Sequence, residues 1–297
     1  MSGPPRLFDR TLLDARRRRA LRTATDGADF LLRGVADDLL DRLGAVKRTF
    51  GLGVDLGSPL PLVTERLATS GRVSRMIRID RLAETGPDIL GDQETLPLAP
   101  ASVDLAVSAL ALHWSDDLPG VLAQIRRALK PDGLFLATFL GGETLTELRQ
   151  SLAAAEAETT GGASPRVAPF AELRAAGALL QRAGFALPVI DQDRKTVRYD
   201  SALHLMRDLR AMGATNVLIE RSRRPMARRM LARVTEIYAE RFSDADGRVR
   251  ATFDLISLSG WAPHESQQQP LRPGSARARL ADALKTTERP AGEKARN

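Results

Sequence analysis

Strand-like and helical segments alternate between residues 50 and 140, and this alternation limits the possible folds more than any other feature. The short apolar, strand-like segments are Phe50–Leu56, Val73–Ile79, Val103–Ala111 and Leu134–Leu140. Between them, Leu62–Thr69 and Leu118–Leu129 have the apolar spacing of helices. The pattern predicts a parallel, doubly wound α/β sheet. In such sheets the ligand binds beyond the carboxyl ends of the strands.

The segments outside this region are predicted to be mostly helical. Helices are expected at Asp29–Arg48, Leu145–Glu158, Phe170–Ala183, Ala202–Met212 and Asn216–Phe242. Two further strands are expected at Ala186–Tyr199 and Arg248–Trp261, and a turn at Lys130–Gly133.

Composition excludes several classes of protein. The chain has 297 residues and no cysteine, which rules out disulfides, thiolate metal sites and a cysteine nucleophile. Only three histidines are present, so no metal site is expected. The net charge is +7, but only five of the 44 basic residues are lysine and aromatics make up 4%. This favours an arginine-rich surface over a nucleic-acid-binding face, since base stacking requires aromatic side chains.

No apolar run reaches the roughly 18–20 residues that a membrane helix needs. Nor is the arginine run at 16–19 followed by the apolar region of a signal peptide. A cytoplasmic protein without a transmembrane segment is therefore predicted.

Acidic residues stand at the ends of the first two predicted strands. Asp55 precedes Gly57, and Asp80 follows at a separation close to the roughly 20 residues typical of nucleotide-binding folds. Asp80 could accept both ribose hydroxyls, and Asp92-Gln93-Glu94 lies where an adenine amine could bind. The alternative is that Asp55 and Asp80 only cap helices.

These positions belong to a series of motifs that resembles the class I S-adenosylmethionine-dependent methyltransferases, including the biotin-pathway malonyl carrier-protein methyltransferase. The motifs are Asp55-Leu56-Gly57, Asp80, Gly91 to Pro97, Val103-Asp104-Leu105 and Leu129 to Gly133. The resemblance implies a mostly parallel seven-stranded, Rossmann-like sheet with N-terminal helices and an inserted helical lid. It also implies S-adenosylmethionine as cofactor, bound by Asp55, Gly57, Asp80, Asp92, Gln93, Glu94 and Ser108.

A second resemblance runs nearly from end to end, to the family of mitochondrial complex I assembly factor 5 and its alphaproteobacterial relatives. Its motifs are Leu7 to Arg10, Ser108 to Trp114, Gly141 to Leu145, Arg182 to Phe185, Leu205 to Leu209, and Gly260-Trp261 with His264 to Gln267. Since the similarity starts at Leu7, no presequence is expected. A bacterial, cytoplasmic protein is predicted, with peripheral attachment to membrane complex I as a further option.

The resemblance implies a methyltransferase-like protein that acts on a protein substrate or assembly partner, such as a complex I subunit. Three alternatives remain: an arginine hydroxylase of a complex I subunit, a non-catalytic assembly factor, and a carrier-protein O-methyltransferase. His113, Trp114 and Glu143 are the candidates for substrate contact. The implied organisation is a helical cover (1–45), a cofactor-binding core (46–140), a C-terminal half with the lid (141–272) and a polar tail (273–297).

One departure from the methyltransferase pattern affects the cofactor loop. Pro59 and Pro61 replace the second and third glycines. Proline fixes φ and lacks the N–H that could donate to the cofactor's methionine carboxylate. The cofactor therefore binds differently, binds weakly, or has lost its site.

Two further features are given their simpler interpretation. The arginines between 221 and 233 are interpreted as a solvated helix face, with docking of an acidic partner as the alternative. His264-Glu265 resembles half of a metal motif but has no partner at a suitable spacing.

Overall fold

The computed structural model describes residues 6–162, 164–267 and 286. Its helices are α1 (Arg10–Thr23), α2 (Phe30–Ala45), α3 (Leu62–Thr69), α4 (Leu118–Ala128), α5 (Thr146–Thr160), α6 (Leu173–Arg182), α7 (Ala202–Ala211) and α8 (Arg228–Phe242). Its strands are β1 (Phe50–Leu56), β2 (Val73–Asp80), β3 (Ile89–Leu90), β4 (Val103–Ala109), β5 (Leu129–Gly141), β6 (Ala186–Tyr199) and β7 (Val249–Trp261).

The strands form one seven-stranded sheet in the order β3-β2-β1-β4-β5-β7-β6. β7 runs antiparallel to both of its neighbours, and the pairs from β3 to β5 are parallel. The chain order reverses between β1 and β4, which places a ligand-binding crevice at the carboxyl ends of these strands. The predicted fold class is confirmed.

Two hydrophobic layers cover the two faces of the sheet. Apolar side chains of α2, α3, α5, α7 and α8 form one layer, and those of α4 and α6 form the other. Both layers contain side chains from β1 and β4, because successive residues of a strand point to opposite faces. Burial on both faces explains why these strands are nearly continuous apolar runs in the sequence.

The predicted helix at Asn216–Phe242 is wrong in its first half, since α8 begins at Arg228. The side chain of Asn216 accepts the N–H of Leu218 at 3.0 Å, and Leu218 forms an antiparallel bridge with Phe8. Pro225 has no N–H with which to continue a helix. Asn216 and Pro225 therefore keep this segment irregular.

The predicted turn at Lys130–Gly133 lies instead within β5. The pairing of β4 with β5 shifts register between Val103 and Leu105, and Asp132 has φ +63°. The turn-forming residues thus form an irregularity in the strand. The two-residue strand β3 had not been predicted.

The described residues up to Pro263 form one compact unit. The boundaries expected at residues 45 and 140 remain predictions. The expected polar tail, 273–297, lies outside the described residues except for Thr286.

Candidate active site

A cavity of about 390 Å³ lies at the carboxyl ends of β1, β2 and β4. Gly57, Asp80 and Gln93 line it from the sheet side, and Arg17 lines it from α1. His113 and Trp114, in a short 3₁₀ turn after β4, also contribute to the wall. Five of the predicted site residues therefore border one cavity.

Asp55 and Ser108 support this cavity from below and do not line it. Both are fully buried. The Asp55 carboxylate accepts hydrogen bonds from the hydroxyls of Ser58 and Thr64, the latter at 2.8 Å. Burial raises the pKa of Asp55. The Ser108 hydroxyl donates to the carbonyl of Leu56 at 2.7 Å, so both residues hold the loop after β1 in place.

Gly57 is the residue of this loop that requires glycine. Its φ is +71°, and a side chain added there would collide with the amide oxygen of Gln93. Gln93 is itself held by hydrogen bonds from its Nε2 to the carbonyl of Ala111 (3.2 Å) and the hydroxyl of Ser115 (3.1 Å). Gly57 and Gln93 thus form one close-packed wall of the cavity.

Asp80 lies at the end of β2 and is buried. Its carboxylate accepts hydrogen bonds from the two terminal guanidinium nitrogens of Arg17, at 2.9 and 2.8 Å. Burial disfavours the charged form of Asp80, but Arg17, Thr85 and Arg78 outweigh it and hold its pKa below the usual range. The carboxylate is therefore ionised at neutral pH. The Asp80 carboxylate does not cap a helix, so the helix-capping alternative does not describe its contacts.

Arg78, two residues before Asp80, is only 1% exposed. Its guanidinium donates to Asp80 at 3.0 Å, to the carbonyl of Ser58 at 2.7 Å and to the hydroxyl of Thr85 at 2.8 Å. Arg78 thereby ties β2 to the loop after β1. Arg78 was not among the predicted site residues, because the segment Val73–Ile79 contains two arginines, Arg75 and Arg78, and the sequence does not show that only Arg78 is buried.

Asp92 and Glu94 face helix α1 and are not part of the cavity wall. Arg10 donates to Asp92 at 2.7 Å and pairs with Glu94 at 2.6 Å. Arg81 pairs with Asp92 and, at 2.8 Å, with Asp14 of α1. Of the three residues considered for adenine binding, only Gln93 borders the cavity, and the two acids hold α1 over the site.

Trp114 also borders a second cavity, of about 270 Å³. Most of the residues lining this cavity are apolar, among them Leu148, Phe170 and Met226. The Trp114 ring packs edge-on against Phe8, with centroids 5.5 Å apart. Trp114 is therefore part of the wall between the two cavities.

Glu143 is exposed and borders neither cavity. Its backbone N–H donates to buried Asp254 at 2.9 Å. Within residues 6–162 and 164–267, no group of three or more His, Asp or Glu side chains is arranged to hold a metal ion. His264 contacts Ser266 through Nδ1, at 2.7 Å.

His113 has an unusual environment. Its Nδ1 is buried and has no hydrogen-bond partner among the described residues, and burial lowers its pKa to about 3. Between about pH 6.5 and 3 the unfolded chain therefore binds a proton that the folded chain excludes. The contribution of His113 to stability is complete above pH 6.5 and is lost as the pH falls towards 3.

We expect His113→Gln to flatten the dependence of the unfolding free energy on pH within this window. Urea unfolding of both proteins at a series of pH values measures it, with His204→Gln as the control. Parallel profiles for wild type and His113→Gln would show that His113 is protonated in the folded state.

Comparison with known proteins identifies the family. A family profile for a methyltransferase domain matches residues 57–137. The arginine-hydroxylase NDUFAF5 of Danio rerio is 38% identical over 266 residues, which cover 86% of this chain and 83% of that protein. The human NDUFAF5 is 36% identical, over 91% of this chain and 81% of its own length. The chain belongs to the NDUFAF5 family.

This NDUFAF5-family chain is also similar to malonyl-[acyl-carrier protein] O-methyltransferases. The one from Laribacter hongkongensis is 35% identical, over 84% of this chain and 88% of that protein. A candidate methyltransferase of Bacillus halodurans superposes with a TM-score of 0.53, over 77% of this chain and all of that one, at 16% identity. The predicted family and class I methyltransferase fold are thus confirmed. No helix among the described residues is long and apolar enough to span a membrane.

The NDUFAF5-family site fits S-adenosylmethionine at one end and departs from the usual pattern at the other. Asp80 lies at the end of β2, the position of the acid that holds ribose hydroxyls in folds of this kind, and Gly57, with positive φ, allows close approach of the backbone. At the other end, Pro59 and Pro61 have no N–H to offer a carboxylate. The cavity therefore suits the nucleoside part of the cofactor and offers two fewer backbone N–H donors to its amino-acid part.

Proposed function

We propose that the chain binds S-adenosylmethionine in the cavity beneath α1 and modifies a protein substrate as an enzyme of the methyltransferase type. The main support is the position of Asp80, an ionised carboxylate at the end of β2 that borders a cavity of about 390 Å³ beside Gly57. An acid at this position of a doubly wound sheet is suited to hold ribose hydroxyls.

The chain's own contribution would be binding, orientation and exclusion of water. When bound, the cofactor supplies an electrophilic methyl group. Helix α1, held by the Arg10 and Arg81 ion pairs, contributes one wall of the cavity and shields part of it from solvent. His113 is uncharged at neutral pH, so it places no positive charge beside a sulfonium. Positioning and desolvation of this kind can account for a large part of the rate enhancement of a group-transfer reaction.

The second cavity supports an acceptor site on the far side of Trp114. Among the described residues its lining is mostly apolar, and the charge of its lining residue Arg166 is paired with Glu156 at 2.7 Å, so the cavity suits an uncharged or apolar group. Three exposed arginines lie close in sequence to Met226, which lines this cavity: Arg224, Arg228 and Arg229. They form no ion pair with the described part of the chain. These arginines support docking of an acidic protein, for which a complex I subunit is our candidate.

A second candidate function is arginine hydroxylation, and the name of the Danio rerio relative favours it, given 38% identity over most of both chains. The Laribacter hongkongensis relative favours a carrier-protein substrate. A non-catalytic assembly role is favoured by Pro59 and Pro61 alone.

Mass spectrometry distinguishes these functions. Complex I subunits and acyl-carrier protein would be purified from cells that lack the gene and from the same cells complemented with it. A methyl group that appears only on complementation supports the proposal, and an added oxygen atom on an arginine supports the second candidate. Complex I that assembles only on complementation, with no modified residue on either protein, would contradict an enzymatic role.

Complementation with Trp114→Ala tests the acceptor site in the same experiment. The modification should disappear, because the wall between the two cavities is removed. Glu143→Ala is the matched control, since Glu143 is exposed outside both cavities, and it should retain the modification. Loss with both variants, or with neither, would contradict an acceptor site at Trp114.

A further inference from the structure

The Asp80 carboxylate is saturated with hydrogen-bond donors. Oδ1 accepts from Arg17 (2.9 Å) and from the N–H of Arg81 (2.7 Å). Oδ2 accepts from Arg17 (2.8 Å), Arg78 (3.0 Å) and the hydroxyl of Thr85 (2.7 Å). A carboxylate has about four lone-pair positions, and five donors from the described residues already use them. Ribose hydroxyls can bind here only after a donor leaves.

Arg17 is the donor that can leave. Arg78 and Thr85 are buried and bonded to each other, and the Arg81 donor belongs to the backbone. The Arg17 side chain, by contrast, lines the cavity and is 14% exposed. The Arg17 guanidinium is therefore the donor that ribose hydroxyls can replace at Asp80.

Helix α1 itself is too closely held to move with Arg17. A side chain added at Gly213 would come within 3.1 Å of the Arg17 Cα, which shows how closely the two backbones pack. On the same helix, Arg10 pairs with Asp92 at 2.7 Å, and Arg16 donates to the hydroxyl of Thr215 at 2.6 Å. The helix stays in place while the Arg17 side chain changes its partner.

A new partner for Arg17 would lie at the loop after β1. Nη2 of Arg17 already lies 3.3 Å from the carbonyl oxygen of Pro59, in the part of the loop where Pro59 and Pro61 have no N–H to donate. A guanidinium binds a carboxylate through two parallel hydrogen bonds. On the basis of the proposed function, we propose that Arg17 leaves Asp80 when the cofactor binds and holds the cofactor's methionine carboxylate, replacing the donors lost at Pro59 and Pro61.

Titration calorimetry with two ligands tests this exchange. S-adenosylhomocysteine carries the carboxylate, whereas 5′-methylthioadenosine has the same adenine and ribose without it. Arg17→Ala should weaken binding of the first about tenfold or more, because a charged hydrogen-bonded pair is lost. Binding of methylthioadenosine should be unchanged or tighter, because Asp80 is set free.

Arg18→Ala is the matched control, because Arg18 is on the same helix as Arg17 but makes an exposed ion pair with Glu84. This variant should bind both ligands as the wild type does. Arg17→Gln, which also removes the charge but keeps most of the length, should reproduce Arg17→Ala if the latter folds poorly. Equal effects of Arg17→Ala on both ligands, or no effect, would overturn the exchange while leaving the proposed function intact. A wild-type protein that binds neither ligand would overturn both.

Discussion

Replacement of Asp80 by alanine is expected to lower the free energy of unfolding by about 3–5 kcal/mol, the usual cost of removing one partner of a buried ion pair. Arg78 is 1% exposed and would keep its charge without a carboxylate. The loop after β1 would lose support as well, because Arg78 also binds the carbonyl of Ser58. Urea unfolding, followed by circular dichroism, measures the loss.

Arg17→Ala is the control for this prediction. It removes the other charge beside Asp80 but leaves the carboxylate bonded to Arg78 and Thr85, so its cost should be clearly smaller. Equal losses for Asp80→Ala and Arg17→Ala would contradict the role given to Arg78. Because Asp80 supports the fold, Arg17 variants are the better probes of ligand binding.

Gly57→Ala is expected to cost about 2–4 kcal/mol in stability. A left-handed φ costs an alanine about 1–2 kcal/mol. The added methyl group would also displace Gln93, breaking its hydrogen bonds to Ala111 and Ser115. Cofactor affinity should fall too, since both residues line the cavity.

A double-mutant cycle separates the two causes. In the Gln93→Ala background the methyl group meets no amide oxygen, so Gly57→Ala should cost only the backbone strain, about 1–2 kcal/mol. Chemical denaturation of the four proteins completes the cycle. The same cost in both backgrounds would show that Gly57 and Gln93 do not interact.

The sheet, and the sheet edge at which five of the candidate residues border one cavity, could be predicted because both follow from local patterns. The strand ends at Asp55 and Asp80 are marked by apolar runs, and the reversal of strand order fixes which edge binds. The segment 216–227 was mistaken for helix because the side chain of Asn216 and the bridge of Leu218 to Phe8 override its spacing.

The partners of the acidic residues could not be predicted in the same way. Arg17 is 63 positions from Asp80 in the chain, and within the run 16–19 it resembled a surface charge. Arg10, Asp14 and Arg17 are nevertheless spaced to share one helix face, and that face lies over the site. The spacing indicates that the three side chains share a face of α1. Which residues this face contacts depends on how α1 packs against the end of α7.

Calorimetric titration of the wild-type protein with S-adenosylmethionine tests the central claim most directly. We predict saturable binding at one site, accompanied by stabilisation of about 2.7 kcal/mol when the free ligand reaches about 100 times its Kd. Absence of both heat and stabilisation at millimolar ligand would contradict the assignment of this cavity to the cofactor.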